Sequence, residues 1–261
     1  MKYKIYQVDS FSNKIFSGNP ACVVPLKAWF SDDLLLNIAK ENAVAETAFL
    51  IDRGDYIDLR WFTPDLEIDL CGHATLATAH VLRSELNYSS DKIKFKTLSG
   101  ELSVNYKDNF YYLDFPSRKS EICDLPKEIA SALSIQPNEV YKSRDFMLVY
   151  KNQKEIESIK VNKLFFDQIN LGCGGVIVTA VGDSVDFVSR FFTPQATILE
   201  DPVTGSAHST LIPFWAKRLV KKDLEALQIS ERGGSLICKN EGDRVLIGGQ
   251  AKLFSRGEFI L

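Results

Sequence analysis

Polar and apolar residues alternate across residues 4–8, and that period of two predicts a first β-strand. The chain then enters a loop that closes on Gly18-Asn19-Pro20. Glycine and asparagine tolerate left-handed backbone there, and the residue before proline is held extended. Residues 21–24 form a continuous apolar run and read as a buried strand. Ser31-Asp32-Asp33 predicts the capped start of a helix reaching about residue 41, with Leu34, Leu35 and Ile38 as its apolar face. Strands are expected from about residues 46 and 57. Over 73–86, Ala74, Ala77, Val81 and Leu82 fall on one helical stripe, and Gly72 stands just before it. Alternation at 92–95, 101–106 and 110–115 predicts three more strands, and Lys92, Lys94 and Lys96 take the solvated face of the first. Residues 116–137 are the least regular, with Pro126, Pro137 and a short helix expected at 127–133, so the linker is placed there. Further helices are expected near 164–169 and over 206–220. Residues 254–261 read as a strand added back onto one of the halves.

The pattern repeats. Arg60-Trp61-Phe62-Thr63-Pro64 returns as Arg190-Phe191-Phe192-Thr193-Pro194, 130 residues later, and Gly72 and Gly205 lie 133 apart. Before each phrase stand two short strand patterns around a Gly-Asp turn, Gly54-Asp55 and Gly182-Asp183. After each come a predicted helix and two strand patterns separated by a polar turn. Self-similarity on this scale predicts an internal duplication: a first half over 1–118, joined by the strand over 251–261, and a second over 119–250. At 261 residues, two units of about 130 are of ordinary domain size.

Composition narrows the class of partner. A net charge of -3 leaves no basic footprint for nucleic acid. No stretch approaches the ~20 apolar residues of a membrane helix, and residues 1–6 read as strand rather than as an apolar leader. The five cysteines, odd in number and without a C-x-x-C pair, point to reduced thiols and a cytoplasmic protein.

If both long helices open toward a cleft between the halves, their free N–H groups and positive dipole ends form an anion site, such as one for a carboxylate. Gly72 and Gly205 would let a ligand approach the backbone there.

Gly18-Asn19-Pro20, Ala45-Glu46-Thr47-Ala48-Phe49, the Arg60 phrase, Cys71-Gly72-His73-Ala74-Thr75 and Asp201-Pro202-Val203-Thr204-Gly205-Ser206-Ala207-His208 together resemble the phenazine-biosynthesis-like (PhzF-like) isomerases, relatives of diaminopimelate epimerase. The resemblance covers nearly the whole chain, with the motifs in the family's order. It implies an α+β, diaminopimelate epimerase-like fold: two pseudo-symmetric domains, each a mixed or barrel-like sheet around a central helix. It further implies a homodimer that needs no cofactor and moves a proton within a small carboxylate-bearing substrate, as trans-2,3-dihydro-3-hydroxyanthranilate isomerase does. On this resemblance Glu46 is the acid/base, His73 and Asp201 support it, and Gly72, Gly205 and Ser206 bind substrate.

The residues agree in kind. A proton shuttle needs a carboxyl group sheltered from water, and Glu46 lies among Val44, Ala45, Ala48 and Phe49. Its counterpart in the second half, near Gly175, is not acidic. His73 serves either as a helper for substrate or as a helix-start residue satisfying backbone groups. Asn19 serves either as a substrate contact or as a turn residue, and Asp201 before Pro202 has the same turn alternative. His80 and His208, farther along the helices, read as structural.

Rival chemistries are weaker. A two-thiol epimerase needs a cysteine in each half, yet Thr204 stands where the partner of Cys71 belongs. A hydrolase using Cys71 and His73 is disfavoured because residues two apart at a helix entry should point apart. The histidines and Cys71 show no recognised metal-ligand spacing. A silent binding or regulatory protein on the same fold is the alternative from another class.

Overall fold

A computed structural model describes residues 1–261, which divide into two compact units: Met1–Phe115 with Leu246–Leu261, and Pro116–Val245. The first unit opens with β1 (Lys2–Ser10), β2 (Asn19–Pro25), α1 (Asp32–Asn42), β3 (Glu46–Asp52) and β4 (Ile57–Phe62). It continues through β5 (Glu67–Ile68), α2 (Gly72–Ser84), β6 (Lys92–Thr97), β7 (Gly100–Lys107) and β8 (Phe110–Pro116). The second unit begins with β9 (Glu121–Ile122), α3 (Lys127–Ala132), β10 (Glu139–Lys142), β11 (Phe146–Val149), α4 (Gln153–Ser158) and α5 (Lys163–Phe166). It goes on to β12 (Val176–Val181), β13 (Phe187–Phe192), β14 (Glu200–Asp201), α6 (Gly205–Leu219), β15 (Asp223–Gln228) and β16 (Gly234–Asn240). The chain re-enters the first unit within β17 (Arg244–Gly249) and ends in β18 (Ala251–Ile260). No helix is long and apolar enough to cross a membrane.

The two units share a pairing order. In the first unit β2 runs parallel to β3, β3 pairs antiparallel with β4, and β4 runs parallel to β6. In the second, β11, β12, β13 and β15 repeat that parallel, antiparallel, parallel sequence. β18 pairs along the whole of β1, from Lys2↔Ile260 to Ser10↔Ala251. The lysines of β6 are exposed and Ile93 and Phe95 are buried, so the period of two sorts this strand as expected.

The repeated phrase is the end of a strand, a turn and a clamp. Arg60 on β4 makes a bidentate pair with Glu67 on β5, its Nε and Nη2 donating to the two carboxylate oxygens at 2.7 Å each. Arg190 and Glu200 repeat it at 2.7 and 2.8 Å. Each guanidinium also lies over the phenylalanine two residues on, Phe62 at 5.1 Å and Phe192 at 4.9 Å. Phe62 meets Phe49 edge to face at 5.7 Å in the core under α1.

Several expectations are corrected. α1 begins after Ser31, but the serine hydroxyl makes no capping bond; its carbonyl accepts from the Leu34 and Leu35 N–H groups instead. α2 is not striped: every residue from Gly72 to Ala79 is buried. Gly, Ala and Thr are small enough for strands to close around all sides of it, and it packs on β1, β2, β3 and β18. α6 is likewise buried from Gly205 to Ile212. Near 164–169 only the four residues of α5 are helical. α4 escapes sequence reading because just one of its six residues, Ile156, is buried, too few to set a period.

α6 contains Pro213, which has no N–H to give to the carbonyl four residues earlier. That carbonyl, on Ser209, accepts from the backbone N–H of Arg118 at 2.9 Å. The helix keeps its proline because a neighbouring segment satisfies the group it frees.

Candidate functional site

Three strands and a helix start converge in the first unit. Glu46 is the first residue of β3, Asn19 the first of β2, and His73 the second of α2. The parallel register sets Ala21 opposite Glu46, so Asn19 lies just before it on the neighbouring strand. Ser10, paired with Asn19 across β1 and β2, donates its hydroxyl to the His73 carbonyl at 2.8 Å and ties the helix entry to the sheet. Gly18, with φ of 72°, lets the loop approach closely: a Cβ there would collide with the Ser10 carbonyl oxygen.

His73 is the hub. Its Nε2 lies 2.8 Å from Glu46 Oε2, a close contact that is not a well-aligned hydrogen bond. On the other side of the ring, Nδ1 meets the amide Nδ2 of Asn19 at 3.0 Å and the thiol Sγ of Cys71 at 3.6 Å. The His73 side chain is 2% exposed and that of Glu46 13%, so the carboxylate is the member with an opening to solvent.

The Cys71 contact corrects the expectation that residues 71 and 73 diverge. Cys71 is the residue before the helix and is extended, with φ of −136° and ψ of 120°, so it does not follow the helical rotation. Its side chain turns back to the ring. Burial, and then the charge on Glu46, raise the thiol and keep its proton on at neutral pH. For His73, burial opposes a charge, whereas a Cys71 thiolate and the Glu46 carboxylate would together lift the ring well above the usual imidazole range. These two tendencies conflict, because the first leaves no thiolate to supply the second. The full lift therefore belongs only to the state in which the sulfur has lost its proton.

Glu46, Cys71 and His73 also bring a carboxylate oxygen, a sulfur and a ring nitrogen within 4.8 Å of one another, a cluster that no local spacing reveals. Both ring nitrogens already face protein atoms, so a cation would have to displace one of those contacts.

In the second unit the helix start is built differently. Asp201 ends β14, Thr204 precedes α6, and Gly205 and Ser206 are its first residues. The Thr204 hydroxyl donates to Asp201 Oδ2. Gln228, at the end of β15 and 1% exposed, braces both: its Oε1 accepts from the Thr204 N–H at 2.8 Å, and its Nε2 donates to the Asp201 carbonyl at 2.8 Å. Nothing in its sequence surroundings marks Gln228, because only the sheet carries it to the helix entry. Neither Gly72 nor Gly205 has a positive φ.

His80 and His208 are satisfied locally. His80 Nδ1 meets the Tyr111 hydroxyl at 3.1 Å, and burial lowers the ring. His208 Nδ1 donates to the Thr204 carbonyl at 2.9 Å, and burial pushes it down to about 4.

Known proteins share this chain's sequence and fold. A Pseudomonas aeruginosa protein named an uncharacterized isomerase is 47% identical over 258 residues, covering 98% of each chain. A crystal structure of a phenazine biosynthesis protein of the PhzF family from Enterococcus faecalis superposes with a TM-score of 0.93 at 48% identity, covering 100% of both chains. A hydroxyproline epimerase from Agrobacterium vitis shares the fold alone, with a TM-score of 0.64 at 11% identity, over 98% of this chain and 92% of that one. The sequence profile of the phenazine biosynthesis-like proteins matches residues 8–257, and with these relatives it places the chain in that family.

Proposed function

We propose that the protein is an isomerase that needs no cofactor and shifts a proton within a small carboxylate-bearing substrate, with Glu46 as the single acid/base. The contact between Glu46 and the buried His73 carries this reading. As a carboxylate, Glu46 removes a proton from a substrate carbon and leaves the electron pair in a conjugated system. As the acid, it delivers that proton, or one exchanged for it with solvent, to a different carbon, and the enzyme ends as it began. His73, 2.8 Å away, faces the carboxyl group that makes both transfers.

The reading assigns the first N–H groups of α2, at Gly72, to the substrate carboxylate, and Asp201, Gly205 and Ser206, at the entry of α6, to substrate binding. Asn19 is assigned to the substrate through His73. The names of relatives support isomerase chemistry, and the resemblance to the phenazine-pathway enzyme suggests trans-2,3-dihydro-3-hydroxyanthranilate as the first compound to try. A cytoplasmic homodimer completes the proposal, and sedimentation of the purified protein reports its assembly.

Glu46→Gln keeps the shape of the side chain and removes its basicity. Proton NMR of that substrate in deuterated water is expected to show deuterium entering the product with the native protein. The variant should be slower by at least about 1,000-fold, the scale of a lost acid/base group. Undiminished turnover by Glu46→Gln would remove Glu46 from the mechanism. A folded native protein inactive on this and related amino and hydroxy acids, yet binding them, would favour a silent binding protein.

A further inference from the structure

We infer that Asn19 is a positioning residue that holds His73 in the neutral tautomer with its proton on Nε2, facing Glu46. The inference rests on what surrounds each ring nitrogen. Nδ1 meets the Asn19 amide Nδ2 at 3.0 Å and the Cys71 sulfur at 3.6 Å. An amide nitrogen only donates, so Nδ1 is the acceptor for Asn19, with the Cys71 thiol beside it. Nε2 meets a carboxylate oxygen at 2.8 Å, which only accepts, so the ring's one proton belongs there.

The geometry gives Asn19 little freedom to do otherwise. It is wholly buried at the start of β2, between β1, where Ser10 pairs with it, and β3, where Glu46 begins. Ser10 in turn holds the His73 carbonyl, so amide and ring are registered by the same strand. The consequence is a donor presented to Glu46 whether or not His73 takes up a further proton. A second proton would have to sit on Nδ1, against the Asn19 N–H, unless the amide turned its oxygen to the ring. Asn19 thus biases His73 against becoming an acid in its own right and leaves the moving proton to Glu46. This last consequence rests on the proposed isomerase reading, whereas the tautomer does not.

Long-range proton–nitrogen NMR reads the tautomer without any substrate. The chain has three histidines, and loss of a signal in His73→Gln assigns the one of interest. His208, whose Nδ1 donates to a carbonyl, is an internal standard for the opposite tautomer. At neutral pH, His73 is expected to show a protonated Nε2 and a bare Nδ1. Asn19→Leu, close in size, should remove that preference and move the ring signals toward tautomer averaging. Asn19→Asp puts an acceptor at Nδ1 and should hold the imidazolium to a pH at least one unit higher than in the native protein. A native spectrum with the proton on Nδ1, or with His73 doubly protonated at neutral pH, overturns the inference even if no variant folds. So does Asn19→Leu, folded, with unchanged ring shifts. Because the readout is the ring itself, failure here is separate from failure of the isomerase reading, which the turnover of Glu46→Gln tests.

Discussion

Thr75 and His208 occupy equivalent places in the two halves, three residues after Gly72 and Gly205, and do the same work with different chemistry. The Thr75 hydroxyl donates to the Cys71 carbonyl, and the His208 ring N–H to the Thr204 carbonyl, so each anchors the residue before its helix. The histidine adds a pH dependence that threonine lacks. His208 is held at about 4 when folded, below the ordinary imidazole value near 6.5. Between those values the unfolded chain binds the extra proton and the folded chain does not. The His208 contribution is therefore complete above about pH 6.5 and is lost as pH falls toward about 4, on the order of 3 kcal/mol in all. His208→Asn keeps a donor for the Thr204 carbonyl and cannot titrate. Urea unfolding from pH 4 to 7 should show a shallower pH slope in that variant than in the native protein. Parallel slopes would mean that His208 takes up its proton in the folded protein as readily as in the unfolded chain.

The Arg-x-Phe-Thr-Pro phrase recurs because each half needs the same turn held, and this is an element-level role rather than a catalytic one. Arg190 does more than its counterpart. Besides Glu200, its Nη1 donates to the Ile156 and Ile159 carbonyls at 3.1 and 2.9 Å, tying the end of α4 to β13. Removing the carboxylate leaves a half-buried guanidinium without its counter-ion, so Glu200→Ala should lower stability by about 2 kcal/mol. Arg60 has a second partner in Asp32, whose side chain is 76% exposed, and Asp32→Ala should cost below about 1 kcal/mol. Denaturant unfolding of both variants decides the ranking, and equal losses would contradict it. The phrase was legible as a repeat. Its acid in the second half, Glu200, was not, because the loop before it is three residues longer and only pairing of β13 with β14 brings the groups together.

Across the whole molecule the five thiols sample every degree of shelter. Cys173 is exposed, Cys123 is partly covered, and Cys22, Cys71 and Cys238 are buried. Burial pushes Cys22 up to about 12 and raises Cys71 and Cys238 as well, so these three lack both access and thiolate. Labelling with a thiol reagent at neutral pH should modify Cys173 first and Cys123 more slowly, and the other three only in denaturant. Rapid labelling of Cys71 in the folded protein would show an open path to the His73 ring. The sequence by itself determined the duplication, most of the strands and the identity of the residues around Glu46, because hydrophobic period, turn residues and a repeated phrase are local signals. It also supplied the family. Tertiary structure decided the contacts that carry the chemistry. Asn19, Glu46, Cys71 and His73 meet only because β1, β2 and β3 align in register around the start of a helix buried on every side. Gln228 reaches the second helix entry only through β15. Residues that lie far apart along the chain leave no periodic trace of such meetings, since each contact depends on how strands pair rather than on what stands beside it in sequence.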